Sequence, residues 1–413
     1  MLSLYFHIPF CEKKCNYCSF FIIPTKDFWC WIEKLKDKYL ENLKKEIIFQ
    51  KEKFNLWKEK IFTIYFWGGT PSEFGLHRYY DLLDFISNQF DLSFVEEFSI
   101  ELNPKTGFQD RRNRVIGFEK QDVKINKLEY QLKNNWILNT VNFIKEFKKN
   151  FNFPLRFSIW IQSLNNNILK KSNRNYTFEE IEKLLFLLKD VDVILNLDFI
   201  SFWIEKYFDK DYFQKFDSFV KKYKKLIDSY SVYTLELFEG SIWFDGKNFD
   251  WIDKNYWENS IYENFEEYKN ILYKYGYERY EISNFSKKWK ESKHNQVYWQ
   301  MKEYLWFGTS ASGFVNNIRY TNSYNINNYN RWIFDYKEYK ILTKKEYLEE
   351  KVFLWLRTKN WVKLTSDIKN ILNFDKLLDF EKQCYLKIKD NILYMQEKWF
   401  SIYNYIVTDI LDF

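Results

Sequence analysis

Residues 4–20, LYFHIPFCEKKCNYCSF, decide the architecture. An apolar run, Leu2–His7, has the composition of a β-strand, and it leads directly into Cys11, Cys15 and Cys18, spaced C-x3-C-x2-C. Three thiolates on one short loop can hold three corners of a cubane iron–sulfur cluster and leave the fourth iron open for a ligand. A structural zinc site wants four ligands, and the nearby candidates for a fourth are His7 and Cys30. Three reduced cysteines or a zinc knuckle is the competing reading. With Cys384 the chain has five cysteines, an odd count and no secretion signal, which argues against a disulfide framework.

Working outward, short apolar β runs alternate with amphipathic stretches. Expected strands are Leu2–His7, Phe62–Phe66, Phe98–Leu102, Arg156–Gln162, Val191–Asp198, Ser231–Leu237 and Arg279–Ile282. Between them lie helical stretches such as Phe28–Lys51, His77–Gln89, Phe178–Lys189, Tyr212–Ser229 and Ile261–Tyr275. Such alternation predicts parallel βαβ units, in a barrel or a doubly wound sheet, with active residues at the C-terminal ends of the strands. Residues 105–154 interrupt the rhythm and read as a surface insertion, helical in its second half. Near the C-terminus the alternation ends: LTKKEYLEEKVFLWLR reads as a helix and YLKIKDNILYM as a hairpin around Asp390–Asn391.

Composition narrows the function classes. Net charge is +6 in 413 residues, with lysines spread over helical faces, so a solvated surface is expected rather than a nucleic-acid groove. No apolar run reaches the roughly 18–20 residues that span a bilayer, and the opening lacks the basic region and cleavage site of a signal peptide. The expected location is the cytoplasm.

The quoted stretch, together with GGTPS, ELNP, SIWIQSLNNNILKKSNRNYT and YEISNF, resembles the radical S-adenosylmethionine (SAM) enzymes, in the branch of oxygen-independent coproporphyrinogen III dehydrogenases and HemW-type heme chaperones. That resemblance implies an α/β fold, a partial (β/α)6 barrel like a TIM barrel with a small C-terminal helical, winged-helix-like domain. It implies a [4Fe-4S] cluster on Cys11, Cys15 and Cys18, with SAM on the open iron. The cluster's electron then splits the sulfonium into methionine and a 5′-deoxyadenosyl radical. Gly68, Gly69 and Thr70 would meet the methionine end of SAM, in a turn where missing Cβ atoms permit close approach. By the same resemblance Tyr5 and Tyr17 flank SAM, Glu101 accepts from the ribose hydroxyls, and Gln162, Arg174 and Asp198 reach the same ligand from later strands. Taken one at a time, these could equally be structural hydrogen-bonding groups.

Within the branch, the dehydrogenases resemble C-x3-C-x2-C-x-C and carry a segment before the cluster. Here the last position is Phe20, and Cys11 stands close to the start. HNQVYW, His294–Trp299, is similar to the HNxxYW pattern of the heme chaperones. His294 could offer an imidazole to heme iron, with Tyr298 and Trp299 as flat apolar faces; the alternative is a histidine packed among aromatics. The resemblance therefore favours a heme chaperone over a coproporphyrinogen III oxidase. Its partners would be heme, recipient hemoproteins and an electron donor such as flavodoxin or ferredoxin, with peripheral contact to the inner membrane surface. The expected division is a barrel over 1–285, a heme-binding, connecting segment over 286–330 and a small helical, winged domain over 331–413.

The chain has 17 Trp against 10 Gly. Against the family pattern, Trp67, Trp160, Trp289, Trp306, Trp355, Trp361, Trp399 and also Trp203 fall at glycine positions, whereas Trp299 matches a tryptophan. Overpacked core sites each cost about 1–3 kcal/mol, against a whole-protein stability of about 5–15 kcal/mol. Two readings stand: true tryptophans, or UGA codons read as glycine in the organism.

Overall fold

A computed structural model describes residues 1–25, 29–57, 59–105, 136–202, 205–244 and 254–411. Six strands follow one another, β1 (Leu2–Ile8), β2 (Ile61–Gly68), β3 (Glu97–Leu102), β4 (Leu155–Gln162), β5 (Ile194–Ser201) and β6 (Ser229–Thr234). Each pairs in parallel with the next: Leu4 faces Ile64, Ile64 faces Phe98, Phe98 faces Leu155, Phe157 faces Leu195 and Leu197 faces Tyr230. Parallel neighbours require crossovers. These are supplied by the longer helices α1 (Trp29–Lys53), α2 (Leu76–Gln89), α3 (Trp136–Asn150), α4 (Phe178–Leu188) and α5 (Tyr212–Tyr223).

Period-two alternation gives each strand two faces. Leu4, Phe6 and Ile8, Ile64 and Phe66, Phe98 and Ile100, and Phe157 and Ile159 are wholly buried in the main core with residues of the helices. The opposite face is polar and bonds to itself across strands. Thr63 Oγ1 donates to Ser3 Oγ at 2.8 Å, Arg156 to Ser229 Oγ at 2.6 Å, and Asn196 Nδ2 to Ser231 Oγ at 2.9 Å. Strands lie about 4.8 Å apart, yet Trp67, Glu101, Trp160, Asp198 and Tyr233, from five successive strands, line one cavity. The sheet must curl to bring them together, and the polar face becomes the lumen of a partial barrel.

Short strands continue both edges. β7 (Glu278–Arg279) and β8 (Asn284–Ser286) form an antiparallel pair whose second member lies against β6. At the other edge β9 (Tyr304–Phe307) runs parallel to β1, and β10 (Ser312–Val315), β11 (Ile318–Asn322) and β12 (Tyr336–Ile341) meander outward from it. Among the described residues the order is β12-β11-β10-β9-β1-β2-β3-β4-β5-β6-β8-β7. Three strands within residues 286–330, and the strand at 336–341, thus extend the sheet. The second core begins after them: α6 (Lys344–Leu356), three short strands and three further α-helices enclose Val352, Leu356, Leu377, Leu393 and Ile406. The hairpin at Asp390–Asn391 forms as expected, with φ of 53° and 59° that suit these residue types.

Two other expectations shift. The strand expected at Val191–Asp198 forms at Ile194–Ser201, because Val191 still closes the preceding helix, its N–H donating to Leu188 O at 3.0 Å. The described second half of the 105–154 segment is α3, the crossover between β3 and β4; 106–135 and Trp203 lie outside the described residues.

Candidate functional site

The cysteine loop leaves β1 at the C-terminal edge of the barrel and is held by backbone and amide contacts. Thr25 N donates to Cys11 O at 2.7 Å and Cys18 N to Cys15 O at 3.1 Å. The segment after β4 holds it from the other side: Asn16 Nδ2 donates to Lys171 O at 2.7 Å and Asn173 Nδ2 to Lys14 O at 2.7 Å. Cys11, Cys15 and Cys18 are free thiols, half-buried, and all three line a cavity of about 350 Å³. Burial pushes the Cys11 thiol well up and the Cys18 thiol up, and the neighbouring thiols push the same way. Crowded thiols of this kind become thiolates when a metal takes their charge. Among the described residues no three His, Cys, Asp or Glu side chains close on a single ion. A multi-iron cluster takes its thiolates on separate irons, so its ligands stand around a volume instead.

Behind the loop the glycine turn has a packing reason of its own. A Cβ on Gly69 would lie 2.6 Å from Pro9 C and 2.8 Å from Phe10 O, and Gly68, at φ 116°, would meet the His7 ring at 2.7 Å. The cysteine strand crosses the turn here: Gly69 N donates to Ile8 O and Thr70 N to Phe10 O, each at 2.7 Å. Thr70 Oγ1 lies 3.1 Å from Cys11 Sγ, so this hydroxyl is committed to a thiol. Gly68 and Gly69 also line the cavity.

Across the cavity stand Tyr17, Glu101, Gln162, Arg174 and Asp198. Arg174 donates to the Tyr17 hydroxyl, Nε at 3.1 Å. Asp198 accepts from Ser158 Oγ at 2.5 Å and Asn196 Nδ2 at 2.9 Å, and burial raises its carboxyl. Gln162 is held at φ 67°, and its buried Oε1 has no hydrogen-bond partner among the described residues, so a ligand donor would satisfy it. Glu101 is in the opposite condition. One of its oxygens accepts from Tyr65 OH and the other from Trp160 Nε1, while burial, then Asp198, hold the carboxyl well above its ordinary range. Seven of the nine residues expected at SAM thus line the cavity; the end of β6 and the loop after it were missed, where Tyr233, Leu235 and Phe238 complete the wall. The position of that loop at the C-terminal end of a barrel strand was the available signal.

Comparison with known proteins accounts for this arrangement. Residues 5–205 match the model of the radical SAM superfamily. The heme chaperone HemW of Lactococcus lactis is 29% identical over 97% of this chain and 95% of its own length. That of Bacillus subtilis is 26% identical over 86% of this chain and 83% of its own. Over residues 5–205 the chain is similar to the radical SAM superfamily. Its relatives are HemW-type, and its fold is that of the E. coli coproporphyrinogen III oxidase (HemN) structure, with a TM-score of 0.72 at 17% identity over 99% of this chain and 89% of that one.

The radical SAM match implies a [4Fe-4S] cluster and SAM. The donors suit both: three free thiols from one loop, a glycine cradle, an unpartnered amide oxygen and an arginine around one cavity. Two indoles do not suit SAM. Trp67 and Trp160 stand in the same wall, and Trp160 holds an oxygen of Glu101. Tyr5, expected beside SAM, lies in the barrel core, stacked on Trp306 with centroids 4.0 Å apart and edge-on to Trp67 at 6.3 Å.

The expected heme ligand is also placed differently. Helix Lys293–Trp299 closes the barrel at the N-terminal ends of the strands, opposite the cysteine loop: Lys293 N and His294 N donate to Glu97 at 3.0 Å, at the start of β3. His294 is fully buried, its Nδ1 2.7 Å from Thr63 Oγ1 and its Nε2 2.6 Å from Tyr298 OH. Burial lowers its pKa to about 3, so the ring is neutral. Both nitrogens are in use and no face is open, so the imidazole is a barrel plug in this structure. Trp299 is similarly occupied, with the Arg357 guanidinium carbon 3.9 Å from its ring centroid.

Proposed function

We propose that this chain is a radical SAM heme chaperone that binds heme and delivers it to recipient hemoproteins in the cytoplasm. The observation that carries this reading is the end-to-end match to the L. lactis heme chaperone, 29% identical over 97% of one chain and 95% of the other. The cavity supports it. Cys11, Cys15 and Cys18 would hold the cluster, which when bound supplies an electron and an open iron to the cofactor. Gly68, Gly69, Tyr17, Gln162, Arg174 and Asp198 would hold SAM and exclude water from it, with Glu101 joining them once released from Trp160. Among the described residues no helix is long and apolar enough to cross a membrane.

The runner-up, oxygen-independent oxidation of coproporphyrinogen III, shares the fold, but a likeness at 17% identity shows the fold alone. The test is heme titration of the anaerobically reconstituted protein, followed by transfer to an apo-hemoprotein. Saturable heme absorbance and transfer support the chaperone; absence of heme binding, or turnover of coproporphyrinogen III, overturns it. Cys15→Ser in the same preparation is expected to lose most of its iron.

A further inference from the structure

We infer that Trp289 and Trp332, and with them Trp67 and Trp160 at the cavity, occupy positions that carry glycine in the organism's own protein, because their codon, UGA, is read there as glycine. Backbone geometry carries the inference. Trp289 lies at φ 67° and Trp332 at φ 64°, in the left-handed region. Glycine enters that region freely, while bulky side chains are rare there. The chain contains 42 Phe and 32 Tyr, yet none of those described shares that conformation. At 289 and 332 tryptophan thus takes a conformation that its nearest chemical relatives avoid and that glycine enters freely.

Burial gives no reason for an indole at either place. Trp289 is 79% exposed and Trp332 53% exposed, although tryptophan is highly buried on average. Lysines lie over both rings, Lys288 over Trp289 and Lys45 and Lys38 over Trp332, a contact that flexible lysine stems make on exposed aromatics. Composition agrees. The chain has 10 Gly where ordinary usage is about 7% of residues, and the shortfall is close to its 17 Trp. Trp299 is the contrast. It ends a helix and packs under Arg357, and it should be a UGG-encoded tryptophan.

The consequence at the cavity rests on the proposed function. With glycine at 160, Oε2 of Glu101 loses its indole donor and can accept from a ligand, and the space next to Arg174, now 5.6 Å from the Trp160 ring centroid, opens. Glycine at 67 removes the ring that packs against Phe20 at 5.3 Å by the cysteine loop.

The test is the gene sequence together with peptide mass spectrometry of the protein purified from its own organism. UGA at 67, 160, 289 and 332, UGG at 299, and glycine masses at the first four are expected. UGG at 289, or an indole mass there, overturns the inference. A recombinant check uses the chain as written beside its Trp289→Gly, Trp332→Gly double variant. The variant should melt at a higher temperature, and a lower melting temperature overturns the backbone argument. None of these readouts involves heme or SAM, so their failure and the failure of the chaperone reading are distinguishable.

Discussion

His294 is kept as a neutral imidazole between Thr63 and Tyr298, and this fixes how acid acts on the fold. In the unfolded chain its pKa is about 6.5, whereas in the barrel it is lowered to about 3. Below pH 6.5 the unfolded state binds the proton and the folded state does not. The stability is therefore fully present above pH 6.5 and is lost as pH falls towards 3, on the order of 3–5 kcal/mol in all. Buried His7, lowered to about 4, acts in the same direction. Glu46 opposes them: it is raised to about 7 by burial, so its contribution is present at low pH and is lost as pH rises towards 7. A difference measurement removes both. The urea midpoint of the wild type minus that of His294→Asn should shrink steadily from pH 7 to pH 4, with heme binding unchanged in the variant. A constant difference would show that the ring does not titrate between the two states; loss of heme binding would restore it as an iron ligand.

At the scale of elements, the cysteine loop is a passenger on two supports. The first is the glycine turn, where Gly69→Ala drives a Cβ to 2.6 Å from Pro9 C; backbone cannot yield as a flexible side chain can. A cost of about 1–3 kcal/mol is expected, with loss of iron binding because the displaced strand carries Cys11. Iron content and thermal melting measure both, and full iron loading would show that the turn does not set the loop. The second support is Asn173, at φ 62°, which donates to Lys14 O and accepts from Lys13 Nζ at 2.8 Å. Asn173→Ala should leave the barrel folded, at a cost of about 1–2 kcal/mol, and release iron to a chelator several-fold faster. An unchanged release rate would locate the restraint elsewhere.

These supports show how far the sequence could be read. The parallel strands were legible because apolar and polar residues alternate along them, as in Phe98–Leu102. The cysteine spacing likewise marked three thiols that the fold brings to one cavity. Asn173 was not legible, since nothing local marks an asparagine as the partner of a loop some 160 residues away. Strand β12 was missed because YKEYKI has an exposed edge and no buried face to pattern it. The burial of His294 at the closed end of the barrel was not legible, because a motif gives residue type and spacing but not which end it faces.

At the scale of the whole molecule, the barrel core and the C-terminal core are separate clusters, and a smaller cluster of Val297, Met301, Tyr304, Phe314 and Leu342 packs against Tyr347 and Leu354 of α6 between them. Arg357, at the end of α6, spans the junction: it donates to Glu281 Oε2 at 3.2 Å and lies over Trp299. Thr358 bridges to Glu281, and Lys359 N donates to Tyr280 O at 3.3 Å. Glu281 is fully buried and also accepts from Ser283 N at 2.8 Å and from Asn284 Nδ2 at 2.5 Å. Removing the guanidinium leaves that carboxylate buried without its cation, which costs about 3 kcal/mol, and removes the face on which Trp299 rests. Both losses fall on the junction rather than on either core, so they should uncouple the units rather than unfold one of them. Calorimetry of the wild type is expected to give one transition. Arg357→Ala should give two, the smaller and cooler belonging to residues 344–411, whose core is the smaller. Arg357→Lys keeps the charge but not the planar stacking, and should fall between them. A single transition in Arg357→Ala at the wild-type temperature would mean that the cores are coupled through other contacts, with Ile282, packed against the second core, as the next residue to replace.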